Sequence, residues 1–272
     1  MSRLAGVIAA IMAGAASGAG ACGFHNYTPQ PTLVDRLIES EHVVLARQHP
    51  DNPFRYKVAK ALEGSAEGVE LPYLVDSVSR RRLKTDPNAR VLFAREGAYG
   101  PWLRVALVDD DMRPVLNAVV THLLEWKQGE DLSRFQTFAA YLNHPDDSVR
   151  MVALRELDRA DYGFLVSGTL QIDTARILSE FNNPAQRNLR AIRILLLGLG
   201  GGEGVHEQLV AGLYRVAQFE SNLTGAYATA LIEMGGAGSG EIAGAGLSDR
   251  SGTPRGFEGS GGGGVGPAQP VW

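Results

Sequence analysis

At Asp109-Asp110-Asp111 the spacing of apolar residues changes, so one chain must supply two kinds of backbone. Before that point apolar and polar side chains alternate, as at Phe54, Tyr56 and Val58, which is the period of strands. Beyond it they recur every three or four positions. Leu116, Val119, Val120, Leu123 and Leu124 form one stripe, and Leu132, Phe135, Phe138, Ala139 and Leu142 form the next. The expected fold class is α+β and multidomain, with a small β unit over residues 28–110 and a helical unit over 112–236.

Within the first unit Thr32 is placed to cap a short helix carrying Leu33, Val34, Leu37 and Ile38. Five short strands are then expected at 42–47, 54–62, 69–75, 90–94 and 102–108, separated by breakers such as Pro50-Asp51-Asn52-Pro53 and Asp86-Pro87-Asn88. Five strands with one long connection, 76–89, suit a small Greek-key barrel of the OB type, and an irregular β-sandwich is the alternative. The run Ser40-Glu41-His42-Val43-Val44-Leu45-Ala46-Arg47, followed by residues 54–62 closing on Glu63-Gly64, resembles the opening of netrin-like OB domains of exported proteins.

Further helices are expected around Val149, Val152, Ala153 and Leu157, around Ala175, Leu178 and Phe181, and around Leu189, Ile192, Leu196 and Leu199. Two more centre on Leu209, Leu213 and Val216 and on Leu223, Tyr227, Leu231 and Met234. Segment Asn143-His144-Pro145-Asp146-Asp147-Ser148-Val149-Arg150 returns about 40 residues later, with a one-residue shift, as Asn183-Pro184-Ala185-Gln186-Arg187-Asn188-Leu189-Arg190. The first of these, with Pro145, Asp147, Val149, Arg150, Ala153 and Leu157, resembles the second half of a HEAT-type repeat. That resemblance implies a stacked array with a concave face for protein partners and no fixed catalytic residues.

The N-terminus reads as an export signal over residues 1–21. Arg3 precedes an apolar Ala/Gly-rich run that ends in small residues, Ala19-Gly20-Ala21-Cys22. The run is short of the roughly 20 apolar residues a bilayer-spanning helix needs. Cys22 is the chain's one cysteine, so no intramolecular disulfide is available. Ala19-Gly20-Ala21-Cys22 resembles the lipobox of bacterial lipoproteins, which implies acylation of Cys22. The same small residues also fit ordinary signal peptidase, which would leave a soluble protein with a free thiol. A periplasmic or outer-membrane-associated location is expected, with a membrane met only through lipid on Cys22. At the other end, residues 237–272 are rich in Gly, Ser, Ala and Pro and cannot make a core. They read as a disordered tail, or as the product of a frame change near residue 237 that removed a final capping helix.

Recognisable chemistry is sparse. Gly198, Gly200 and Gly201 invite a dinucleotide-loop reading, but the spacing fails at Glu203 and the segment follows a helix. No GxSxG, P-loop, HExxH or paired CxxC is present, and Cys22 with His25 offers fewer ligands than a zinc site takes. The three aspartates lack the Gly and Glu of a calcium loop and suit a solvated linker. No cofactor or metal is expected. A net charge of −4 argues against nucleic acid.

Two arginine groups remain as binding candidates. Arg80, Arg81 and Arg82, with Lys84, are set to meet an anionic envelope polymer or lipid head groups, against the plainer reading of an exposed loop. Arg150, Arg187, Arg190 and Arg193 lie on the repeat segments and would offer charge to a partner, against capping and pairing with Asp146, Asp147 and Glu156. The expected function is non-catalytic: an envelope protein binding an unidentified protein partner through its helical face. The rival is an enzyme or a substrate- or polymer-binding factor, with a site in the β unit or one between the units gathering Glu39, Glu41 and Asp109.

Overall fold

A computed structural model describes residues 29–219 and 221–235. Cys22, the expected export signal and the Gly-rich tail lie outside the described residues. The fold is α+β: the described residues form one four-stranded antiparallel sheet and a succession of helices.

Helix α1, Leu33–Ile38, starts where expected. Thr32 Oγ1 accepts from the Asp35 amide at 3.1 Å and the Thr32 amide donates to Asp35 Oδ2 at 3.0 Å, a reciprocal capping box that satisfies two amides left open by the first turn. Strands β1 (His42–Gln48), β2 (Tyr56–Glu63), β3 (Arg90–Arg95) and β4 (Trp102–Val108) follow, in sheet order β2-β1-β3-β4. The expected five-stranded barrel is not formed. Residues 69–75 make one isolated β-bridge, Leu74 to Arg55, and no strand pairing, and the sheet of the described residues stays open with β2 and β4 as its edges. The long connection holds a helix, α2 (Ser77–Thr85), launched by Asp76, whose carboxylate accepts from the Ser79 amide at 2.8 Å.

Both faces of the sheet are covered, and the alternation of side chains divides them. Val44, Ala46, Val91 and Phe93 pack with Tyr56, Leu71, Val75 and Trp102, so residues 69–75 are buried as extended chain without joining the ladder. Val43, Leu92 and Ala94 face the other way, against Leu33, Val34 and Leu37 of α1 and Met112, Val115, Leu116 and Val119 of helix α3 (Met112–Lys127). That second core also takes in Phe138, Val149 and Ala153, so it runs across the point where the sequence period changes.

The remaining helices are α4 (Asp131–Ala139), α5 (Asp147–Leu157), α6 (Tyr162–Ser167), α7 (Thr174–Glu180), α8 (Arg190–Gly200), α9 (Val205–Ala217) and α10 (Thr224–Glu233). A 3₁₀ turn, Pro184–Leu189, leads into α8. The two sequence segments read as copies therefore differ. Asp146 caps α5 directly, accepting from the Ser148 and Val149 amides at 2.9 and 3.0 Å, whereas Asn183 caps the 3₁₀ turn and delays the α-helix by six residues. Among the expected stripes, Val120 and Leu124 of α3 and Leu132 of α4 are 40, 70 and 60% exposed. The buried side of α3 keeps Leu116 and Val119 of the expected stripe and adds Met112, Val115 and Trp126.

A buried ionic knot ties α4 and α5 to α1. Arg134 of α4 donates to Glu156 Oε2 of α5 at 2.5 and 3.0 Å, and to Thr32 Oγ1 and Asp35 Oδ1 of α1 at 2.9 Å each. The Val34 amide donates to the other Glu156 oxygen at 3.0 Å. Burial pushes the Glu156 carboxyl up against the pull of Arg134. For Asp35, burial also pushes upward but is outweighed by the Thr32 amide and Arg134, and its carboxyl stays low.

Candidate functional site

The end of β1, the turn after it and one side of α2 enclose a cleft of about 810 Å³. Each wall is locally determined. The β1–β2 turn is held by Asn52, whose side chain accepts from the Phe54 amide at 3.0 Å, and by Gln48 Nε2 donating to the Pro53 carbonyl at 2.9 Å. Helix α2 is fixed at its start by Asp76, which accepts from Ser79 Oγ at 2.7 Å and from Arg104 Nη1 at 2.7 Å. Those Ser79 hydrogen bonds, with Arg104 beside them, draw the Asp76 carboxyl down to about 2. At the far end Asp86 accepts from the amides of Asn88 and Ala89 at 2.9 and 3.2 Å.

Into this cleft the fold brings Arg47 from β1, Arg80, Arg81 and Lys84 from α2, and Arg90 from the start of β3, with His49 at the turn. No carboxylate lines it. Antiparallel pairing explains part of the crowding. Ala46 pairs with Val91, so the next step along the ladder sets Arg47 beside Arg90, like charge by like charge. Arg90 Nη1 donates to the carbonyls of Pro87 and Ala89 at 2.7 Å each, which fixes the guanidinium without neutralising it. Arg80 stacks over the Phe54 ring at 5.1 Å. Arg47, Arg81 and Lys84 make no side-chain hydrogen bond or ion pair among the described residues.

The triplet read from sequence is thus split by the turn of the helix. Arg80 and Arg81 line the cleft together with Lys84, and positions 81 and 84, three apart, share a side. Arg82 does not line the cleft; it donates to Asp109 Oδ2 at 2.8 Å. Burial raises the Asp109 carboxyl, yet the bond to Arg82 and the Met112 amide outweigh it, and the group is held low. That aspartate therefore anchors α2 and the start of α3. Asp110 meets Arg113 at 3.1 Å, and Glu39 and Glu41 are exposed and line none of the cavities described here.

The second arginine group also divides. Arg150 and Arg193 are 5 and 1% exposed and converge on Glu180, at 2.6 Å to Oε1 and 3.0 Å to Oε2 respectively. Arg150 also donates to Asp147 at 2.5 Å and to the carbonyls of His144 and Pro145 at 3.0 and 3.1 Å, and Arg193 meets Gln186. These two are internal fasteners and not a presented face. Arg187 and Arg190 come together at another cavity, beside Arg155.

Sequence reasoning missed Arg47 and Arg90, whose proximity depends on strand register, and the knot around Arg134. Nothing local flagged either. Among the described residues no group of three or more His, Cys, Asp or Glu side chains is placed to hold a metal ion, and no helix is long and apolar enough to cross a membrane. Comparison of the chain with models of known protein families, with curated proteins and with solved structures finds no match.

Proposed function

We propose that this protein is an exported, non-catalytic binding factor of the bacterial envelope whose cleft takes a polyanionic ligand, a phosphate- or carboxylate-bearing polymer. One observation carries the reading: Arg47, Arg80, Arg81, Lys84 and Arg90 surround a cleft without a carboxylate, in a protein whose net charge is −4. A local excess of one sign against the sign of the whole chain focuses potential at that cleft and raises the local concentration of anions. Long-chain inorganic polyphosphate is the probe. Its binding, followed by fluorescence anisotropy, should weaken steeply as salt rises from about 0.05 M to about 0.5 M. Arg81→Gln with Lys84→Gln should weaken it roughly tenfold or more, about 1.4 kcal/mol. Binding that ignores both salt and the double substitution would overturn the reading.

A second reading keeps the helical part as a HEAT-like interaction array. It is supported by packing in chain order, α3 on α4, α4 on α5, α7 on α8 and α9 on α10, and by Leu124 and Leu132 standing exposed on α3 and α4. On this reading Leu124→Glu removes a stoichiometric partner that the unaltered chain retains through in-cell crosslinking. An unchanged set of crosslinked products counts against it.

A further inference from the structure

We infer that the cavity where α5, the 3₁₀ turn and α10 meet is a second binding site, separate from the cleft, for a small organic acid: an oxyanion head, carboxylate or phosphate, on a short apolar body. The cavity has a volume of about 540 Å³, within the ordinary range of roughly 300–1,000 Å³ for small-molecule sites. Its walls come from distant parts of the chain. Arg155 and Asp158 close α5, Arg187 and Asn188 belong to the 3₁₀ turn, Arg190 and Ala191 open α8, Asn222 and Leu223 precede α10, and Gln30 lies before α1.

Three guanidinium groups meet one carboxylate there, so the lining carries an excess of positive charge. Arg155 and Arg187 are exposed, and their side chains make no hydrogen bond or ion pair among the described residues. Arg190 stacks over the Phe181 ring at 5.6 Å, and its Nε–H is sealed from solvent without an acceptor. Each of these groups is a donor lacking an anion, and an arginine fork matches a carboxylate or phosphate with two parallel bonds. The carboxamides of Gln30 and Asn188 face one another, Asn188 Nδ2 donating to Gln30 Oε1 at 3.3 Å, and Asn222 adds a third amide at the rim. Leu189, Ala191 and Leu223 supply the apolar wall. The cleft at α2 is larger, at about 810 Å³, and sets five cationic side chains against no carboxylate, whereas this cavity sets three against one, so an extended polyanion suits the first and a compact amphipathic anion the second.

Isothermal titration of the full chain with hexyl phosphate and with hexanoate tests this, with inorganic phosphate as the reference. The expected result is saturable one-to-one binding of at least one hexyl probe, about tenfold or more tighter than inorganic phosphate. That binding should fall by a similar factor in Arg155→Gln with Arg187→Gln and persist in Arg81→Gln with Lys84→Gln. Whichever probe binds more tightly identifies the head group. Asn222→Asp, which sets a carboxylate at the rim on an exposed position, should weaken binding as well, and it carries the test if the arginine pair proves too unstable to titrate. Three results would overturn the site: no saturable binding of either hexyl probe, inorganic phosphate binding as tightly as the hexyl compounds, or a loss that follows the cleft substitutions instead.

Discussion

Glu156 shows what one side chain can hold. It is fully buried, with one oxygen taken by the Val34 amide and the other by Arg134. Neutralising it leaves the buried Arg134 guanidinium with Asp35 as its one carboxylate, so Glu156→Gln should cost roughly 3 kcal/mol in urea unfolding. Replacing both, Glu156→Leu with Arg134→Met, should cost less than Glu156→Gln alone, because the carboxylate that stays, Asp35, keeps Arg159 at 3.4 Å and the Thr32 amide as partners. Asp76 acts at the surface and through pH. Its carboxyl is drawn to about 2 in the folded chain from an ordinary value of 3.8. Between those values the unfolded state takes up more protons, so the contribution of Asp76 is present above the ordinary value and is lost as pH falls toward about 2. Asp76→Asn keeps a capping oxygen but removes the titration. The melting temperature of that variant should therefore fall less steeply with acid than the wild-type value, measured by circular dichroism.

Helices α8 and α10 pack as closely as the absence of a side chain allows. A Cβ added at Gly198 would lie 2.5 Å from the Ala230 Cα and 2.6 Å from its carbonyl oxygen, and backbone cannot swing aside as a flexible side chain can. Gly198→Ala should therefore destabilise the chain by about 1–3 kcal/mol despite favouring helix, a sign readable from thermal melting. Most helices of this kind were legible beforehand, because Leu, Ile and Val at 3.6 spacing record one buried face. The failures have physical causes. Alternation at Val69, Leu71, Tyr73 and Val75 does record burial, since Leu71 and Val75 are in the core, but burial of an extended segment does not require ladder hydrogen bonds. Helix α2 escaped notice because Arg80, Arg81, Arg82 and Lys84 leave almost no apolar stripe, and its one sequence cue is the cap at Asp76. The cleft was half legible. Its helix residues form a run, but Arg47 and Arg90 join them only through register.

On the scale of the whole molecule, the side of the sheet bearing Val43, Leu92 and Ala94 is covered by α1, which precedes it in sequence, and by α3, α4 and α5, which follow it. A fragment ending at residue 111 keeps every strand and loses α3, α4 and α5. It should fail to unfold cooperatively, giving a broad, low-amplitude thermal transition where the full chain gives a sharp one. The knot at Glu156 adds an ordering in time. Val34 and Glu156 are 122 residues apart, so a chain made from its N-terminus presents the first helix long before the carboxylate that receives it exists. The capping box lets that helix flicker on its own, but six residues are too few to persist without a surface to rest on. Helix α1 is thus among the last of the described elements to settle, and through that interval it stays open to whatever handles unfinished polypeptide.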